Sequence, residues 1–264
     1  METYIPFQSG PWRGRCAQGW QNLFQDTEKW LAENPGTVVV KYPCREVRRI
    51  ETPLGVVYLK YIRALTDAGL ARKDLFSHLK WVLRPSRALC VWRASVALEA
   101  AGLECPMPVL AARKRIHGYP HDIIITREVP AKDCRLNPPG ETPQEAAERL
   151  AQAAADLHAV GFAHGDFIMG NICVNPESGR FSYMDNDRTW RPVWPFRRHY
   201  QRRNLAQMGY SLARKYAAMA PCRAFLAKYA EIAGWPDESG RRRLAAAVQR
   251  RYQNNHPQIP LDAS

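Results

Sequence analysis

The sequence predicts an α+β protein with two lobes, a small antiparallel β-sheet followed by a mostly helical half. Three observations carry that prediction. Strand-like runs at 37–41, 46–50 and 56–62 follow one another across short turns. Thr142-Pro143-Gln144-Glu145 is a capping box with proline at the first helical position, the start signal of a long helix. The chain beyond the arginine-rich stretch near residue 200 reads as helix to its end. The expected layout is an N-terminal helical extension over 1–36, a sheet lobe over 37–130 and a helical lobe over 131–264.

In chain order, Trp12 to Glu33 carries Trp20, Leu23, Phe24, Trp30 and Leu31 near a helical stripe, and Asn34-Pro35-Gly36 would end that helix. The expectation is a helix packed on the body of the domain. Pro53-Leu54-Gly55 marks the turn before the third strand, which carries Lys60. The stretch 67–83 reads as helix or loop, with Arg72, Lys73 and Lys80. Pro85-Ser86 starts a helix from about Arg87 to Ala101. Leu89, Trp92, Val96 and Leu98 lie on its apolar face, and Gly102 closes it. Val109 to Ala112 reads as a strand, Arg113-Lys114-Arg115 as a basic turn, and His121 to Thr126 as a buried strand running into Glu128 and Val129. Pro138-Pro139-Gly140 marks a loop between 134 and 142. The capped helix then runs through Leu150 and Leu157 to Gly161.

That helix delivers the chain to the stretch with chemistry in it: His164-Gly165-Asp166, then Asn171, then Asp185 in Met184-Asp185-Asn186-Asp187-Arg188. Ile172 to Asn175 and Phe181 to Met184 read as two short strands joined by Pro176-Glu177-Ser178-Gly179. Such a hairpin would set Asn171 beside Asp185, where two oxygen ligands could share a metal. Phosphoryl transfer needs one carboxylate to orient the attacking hydroxyl and further oxygens to hold magnesium on the nucleotide phosphates. The order Asp166, Asn171, Asp185 is that of the protein-kinase catalytic loop and its following metal-binding aspartate. By the same comparison Lys60 would pair the α/β-phosphates. Glu128 and Val129 would offer backbone groups to adenine at the hinge between lobes. No Gly-x-Gly-x-x-Gly stands between Gly36 and Gly55, so the phosphate cover must be atypical.

Hydrophobic residues make up 46% and charged residues 24%, the balance of an ordinary soluble globular protein. No run is long enough to span a bilayer, and the N-terminus lacks the pattern of a secretory signal. The seven cysteines are scattered and never spaced Cys-x-x-Cys, as expected of reduced thiols in a cytosolic protein. A net charge of +13 favours an anionic partner, whether nucleic acid, phospholipid headgroups or a phosphorylated glycan, and argues against a polycationic substrate such as an aminoglycoside. Arginines at 191, 197, 198, 202 and 203 alternate with Trp190, Trp194, Phe196 and Tyr200, but no nucleic-acid motif accompanies them, so no nucleic acid is expected as partner.

From about Arg45 to Leu212 the chain resembles the lipopolysaccharide kinase family of the kinase-like superfamily. The resemblance rests on Val57-Tyr58-Leu59-Lys60, on Trp92-Arg93-Ala94 with Gly102 to Pro106, and on Ile123 to Glu128. Leu157-His158, Gly161, His164-Gly165-Asp166, Asn171 and Met184 to Arg188 complete it. The Asp-x-Asp-Arg shape is the family's rather than that of protein kinases, and His-Gly-Asp in place of His-Arg-Asp points to small-molecule or glycan phosphotransferases. The resemblance implies a bilobal protein-kinase-like fold and a cytoplasmic ATP- and magnesium-dependent kinase. Its acceptor would be a heptose or Kdo hydroxyl of the lipopolysaccharide inner core, and the anionic glycolipid would draw it to the inner-membrane surface. Asp166 would be catalytic together with Lys60. Lys60, Glu128, Val129, Asn171 and Asp185 would bind nucleotide, with Asn171 and Asp185 holding the metal. Two departures stand out. Asn204 occupies the aspartate position of a later Arg-x-Asp-Leu element, and Val91 stands where the family has the glutamate that pairs the strand lysine. Glu99 lies about two turns further along the same helix. A kinase for another small molecule or a protein, and a catalytically weak scaffold, remain the alternatives.

Overall fold

In the computed structural model, residues 2–63, 65–66, 69–70, 79, 82–130, 132–134, 138 and 140–258 are described. Most of the expected helix or loop at 67–83, with Arg72, Lys73 and Lys80, lies outside them, as do parts of the loop after Cys134. The chain divides into two compact units, Met1–Val129 and Pro130–Ser264.

The first unit is built on a seven-stranded antiparallel sheet. Its strands are β1 (Tyr4–Ser9), β2 (Trp12–Ala17), β3 (Thr37–Tyr42), β4 (Arg45–Thr52), β5 (Gly55–Arg63), β8 (Pro108–Ile116) and β9 (Tyr119–Arg127). The two-residue strands β6 (Leu65–Thr66) and β7 (Gly69–Leu70) pair only with each other. The strand order is β1-β2-β8-β9-β5-β4-β3. Alternation along the strands gives the sheet two apolar faces. Val57, Leu59, Ile123 and Ile125 face one core with Trp12, Trp20, Phe24 and Trp30; Ile62, Ala111 and Ile124 face a second with Ala88 and Val91 of the helix Arg87–Ala100.

The N-terminal segment corrects the sequence reading. Trp12 to Ala17 is a strand, and helix is confined to a 3-10 turn at Gln21–Phe24 and the short helix Thr27–Glu33. The aromatics are core residues, as their spacing implied, but they reach the core from strand, turn and helix in succession. Glycines mark the breaks and the close strand pairing. Gly10 and Gly19 sit at φ +53° and +91°, and a Cβ on Gly14 would strike the Ala111 carbonyl of the neighbouring strand. Residues 1–36 are therefore no helical extension, because β1 and β2 extend the main sheet. The basic turn at Arg113-Lys114-Arg115 is likewise strand. Arg113 grips the buried carboxylate of Asp122 through Nε and Nη2 at 2.8 and 2.9 Å and donates to the Arg84 and Pro85 carbonyls. Asp122 also accepts from Ser86 Oγ and from the Arg87 N–H, so one bidentate ion pair fixes the start of the helix Arg87–Ala100 to the sheet.

The second unit packs helices Pro143–Ala159, Arg197–Tyr216, Ala220–Ala233 and Glu238–Asn255 against one another and carries a small sheet of β10 (Lys132–Asp133), β11 (Ile172–Val174) and β12 (Phe181–Tyr183). The capping box forms: Thr142 Oγ1 accepts from the Glu145 N–H, and the Glu145 carboxylate accepts from the Thr142 N–H at 2.8 Å. The buried face of that helix is largely alanine, with Leu150 and Leu157, which lets the helix Ala220–Ala233 lie close along it.

Candidate active site

In the second unit, the hairpin β11–β12 pairs Ile172 with Tyr183. One step further out the Met184 N–H donates to the Asn171 carbonyl at 2.8 Å, which carries Asn171 and Asp185 to the same end of the hairpin. Asn171 Nδ2 donates to the Asp166 carbonyl at 2.8 Å. The amide nitrogen is thereby committed to the loop, and the oxygen is the end that can take a cation. Asp166 itself is exposed. Asp185 adopts φ 54°, ψ 53°, a left-handed conformation that aspartate tolerates better than most side chains.

His164 locks these two segments together. Its Nε2 lies 2.8 Å from the Met184 carbonyl, and its Nδ1 lies 3.1 Å from the Asp166 N–H. The carbonyl can only accept and the amide can only donate, so Nε2 carries the hydrogen and Nδ1 is bare. Burial is the main cause that lowers the His164 pKa, which agrees with this neutral ring. Gly165 lies against the next segment. A Cβ there would fall on Arg188 Cβ and within 2.8 Å of the Arg188 carbonyl. The loop Asn186–Arg188 therefore fits only over glycine, a physical reason for His-Gly-Asp.

The helix Arg197–Tyr216 holds the loop from behind through residues that the sequence reading did not assign. Asn204 accepts from the His164 N–H at 2.9 Å and donates to the His164 carbonyl at 2.6 Å. Arg203 and Gln207 donate to the Gly165 carbonyl, the Phe167 N–H donates to Gln207, and the Met169 N–H donates to Ser211. Beneath Asn204 lies His158, fully enclosed between Asn204 Oδ1 at 3.2 Å and the Tyr229 hydroxyl at 2.8 Å. Burial pushes its pKa down to about 4. Leu205, Met208 and Leu212 of the same helix face the core, and residues 204, 207 and 211 bond to backbone some forty residues earlier, which leaves no local sequence signal.

Lys60, Glu128 and Val129 belong to the first unit. Lys60 lies half-buried in β5, paired with Val47 and Ile124, on the sheet face that carries Ile62 and the helix Arg87–Ala100. Val91 of that helix packs with Ile62, Ala111 and Ile124. Glu99 is directed elsewhere: its charge acts on Glu2, Tyr4 and Cys105, and its Oε2 is buried without a hydrogen-bond partner. Glu128 accepts from Tyr58 Oη at 3.2 Å, and its N–H donates to the Val56 carbonyl. The Glu128 N–H is thereby committed to the sheet. β3 and β4 join through Pro43-Cys44, a turn without glycine.

One carboxylate and one carboxamide are hard oxygen donors. They suit magnesium, which keeps several waters and takes phosphate oxygens for the rest. Among the described residues no three His, Cys, Asp or Glu side chains gather as a metal cage of their own.

Residues 55–229 match the lipopolysaccharide kinase (Kdo/WaaP) family. Among solved structures, WaaP in complex with acyl carrier protein is similar over 90% of this chain and 96% of that one, with a TM-score of 0.59 and 20% identity. The Rio2 kinase of Chaetomium thermophilum, solved as an ADP/Mg2+-phosphoaspartate complex, is similar over 96% and 82%, with a TM-score of 0.52 and 16% identity. An aminoglycoside-3'-phosphotransferase of type VIII is similar over 84% and 96%, at 0.51 and 16%. At these identities the likeness is one of fold, and the fold is protein-kinase-like. No curated protein sequence matches the chain.

Proposed function

The chain belongs to the lipopolysaccharide kinase (Kdo/WaaP) family, and from that premise we propose that it transfers phosphate from ATP·Mg to a heptose or Kdo hydroxyl of the lipopolysaccharide inner core. Asp166 orients the sugar hydroxyl and draws its proton as the oxygen attacks. Asn171 and Asp185 hold the metal, which supplies charge neutralisation on the transferring phosphate. Lys60 neutralises the remaining phosphate charge, and the Glu128 carbonyl with Val129 receives the base. The observation that carries this reading is the way His164 and Asn204 fix Asp166, Asn171 and Asp185 around one neutral ring. A nucleophile-orienting carboxylate and a metal-binding pair need that fixed relation, since catalysis of phosphoryl transfer is mostly positioning.

The acceptor is an anionic glycolipid whose lipid part lies in a membrane. A net charge of +13 suits both the acceptor and association with the inner-membrane surface from the cytoplasm. No helix among the described residues is long and apolar enough to cross a membrane. Val91 in the place of the usual glutamate favours a second reading, a catalytically weak member that binds nucleotide without efficient transfer.

Phosphate analysis of the lipopolysaccharide core tests both. A deletion strain should lack one phosphate that the parent carries. The wild-type gene should restore it, and the Asp166→Asn form should not. A core unchanged by deletion would reject this acceptor, and full restoration by Asp166→Asn would reject the catalytic assignment.

A further inference from the structure

The segment between Trp190 and Arg198 exposes more apolar surface than any other described part of the second unit. Trp194 is 88% exposed, Val193 67% and Phe196 57%. They project from a short turn closed by the Phe196 N–H on the Val193 carbonyl at 2.9 Å. The turn is anchored at its start. Trp190 pairs with Ala163 through both backbone groups, and its ring meets Tyr200 edge-on at 4.8 Å. Ala163 directly precedes His164, so the turn and the catalytic loop share one backbone bridge.

Arginines surround it, and each is held in place. Arg191 lies over the Phe162 ring at 4.6 Å, and Arg198 over the Trp235 ring at 4.3 Å. Arg197 donates to the His158 carbonyl at 2.8 Å. Beside the turn, Trp194 and Pro195 border a groove of about 610 Å³ that continues to Ile232, itself 37% exposed. Asp156 is the acidic residue on that groove.

Resting on the lipid-borne acceptor of the proposed function, we propose that this surface docks on an anionic bilayer, with Val193, Trp194 and Phe196 entering the interfacial layer and Arg191, Arg197 and Arg198 reaching the headgroups. Two features favour a bilayer over a protein partner. The apolar side chains stand exposed together on one short turn, an arrangement that a fluid interface accepts without a matching pocket. Tryptophan and arginine together are also the residues that settle at the headgroup level of membranes. Docking there would hold the catalytic loop, through Ala163 and Trp190, beside the layer in which the acceptor resides.

Co-sedimentation of the full chain with vesicles tests this without nucleotide or acceptor, so its result is independent of the kinase reading. Vesicles of phosphatidylethanolamine with phosphatidylglycerol should retain the wild type at physiological ionic strength, and vesicles of phosphatidylcholine alone should retain much less. Trp194→Ser with Phe196→Ser should lower partitioning roughly tenfold or more, while the thermal shift given by ATP·Mg stays unchanged. Trp194→Ser alone serves as a second variant, because a side chain 88% exposed contributes little to folding. The proposal is overturned if the wild type ignores anionic vesicles, or if both variants bind them as the wild type does. It is overturned equally if the same variants instead abolish self-association, or capture of purified acyl carrier protein, with vesicle binding intact.

Discussion

Asn204 clamps the His164 peptide from both sides, accepting its N–H at 2.9 Å and donating to its carbonyl at 2.6 Å. A carboxamide can do both, and a carboxylate can only accept. An aspartate, the residue expected at this position from the family pattern, would leave the buried His164 carbonyl without its donor and set a negative charge against it. Leaving a buried acceptor unpaired costs about 1–3 kcal/mol. Asn204→Asp should therefore lower the melting temperature and reduce turnover, with ATP·Mg affinity little changed. Wild-type stability and turnover in this variant would mean that the clamp is not what holds the loop.

Gly165 makes the sharpest steric demand in the second unit. Adding one methyl at this position places carbon on Arg188 Cβ and crowds the Arg188 carbonyl. Backbone must move, and what moves is the segment that carries Asp185 relative to the one that carries Asp166. A displacement of an ångström at reacting groups can cost about 10²-fold in rate. Gly165→Ala is expected to lose turnover on that scale while the first unit keeps its fold. Full activity of the alanine variant would show that the two loops tolerate separation.

Glu99 and Lys60 should respond very differently to mutation. Glu99 lies among Glu2, Tyr4 and Cys105, where burial pushes the Cys105 thiol up to about 12 and its own Oε2 lacks a partner. Glu99→Gln should retain most activity. If Lys60 serves the phosphates as we propose, Lys60→Met should lose roughly 10²-fold or more in turnover, the cost of removing a charge from the transition state. Equal losses in the two variants would place Glu99 in the phosphate site and refute its assignment to the other end of the helix.

The sheet strands and the chemical loop were legible because they rest on local signals. Alternation marks β5, a continuous apolar run marks β9, the capping box marks the helix Pro143–Ala159, and a short apolar hairpin marks β11 and β12. The N-terminal strands were not legible. Trp12, Trp20, Phe24 and Trp30 are spaced much as on a helix, and Trp12–Ala17, besides its hairpin with β1, is held in the main sheet by β8, about a hundred residues away in sequence. Arg113 looked like a turn residue because its partner Asp122 lies across a hairpin whose turn is His117-Gly118, with both residues at positive φ. The supports of the catalytic loop escaped for the same reason. Asn204, Gln207 and Ser211 bond to backbone some forty residues earlier, and no local pattern announces that.

His158 gives the second unit a defined acid sensitivity. Burial, opposed in part by its bond to Asn204 and aided by Arg197 and Arg198, lowers its pKa from 6.5 to about 4. Between those values the unfolded chain takes up a proton that the folded chain refuses. The stability of the neutral ring is therefore complete above about pH 6.5 and is lost as pH falls toward the folded value near 4. The loss is on the order of 3 kcal/mol across that window. His164, lowered in the same direction by burial, adds to it. Thermal unfolding followed over this range should show a falling midpoint for the wild type and a flatter profile for His158→Gln. Parallel profiles for the two proteins would rule out the buried neutral ring at 158 as the source.

Asp166 and Asp185 are assigned to different partners, so their mutants should separate. Asp166 is exposed at the end of a loop whose carbonyl is held by Asn171. Asp166→Asn keeps the shape and removes the charge that we propose orients the acceptor proton. Turnover should fall by a factor on the order of 10²–10⁴, the usual contribution of a positioned acid–base group, with ATP·Mg binding little altered. Asp185 sits in a left-handed conformation that sets the direction of its Cα–Cβ bond. Asp185→Asn removes a hard anionic ligand and should weaken metal-dependent nucleotide binding together with turnover. Calorimetric titration with ATP·Mg, beside turnover on purified lipopolysaccharide core, reads both quantities for each variant. Loss of nucleotide binding in Asp166→Asn with full binding in Asp185→Asn would exchange the two roles. Full turnover in both would remove phosphoryl transfer from the stretch His164 to Arg188.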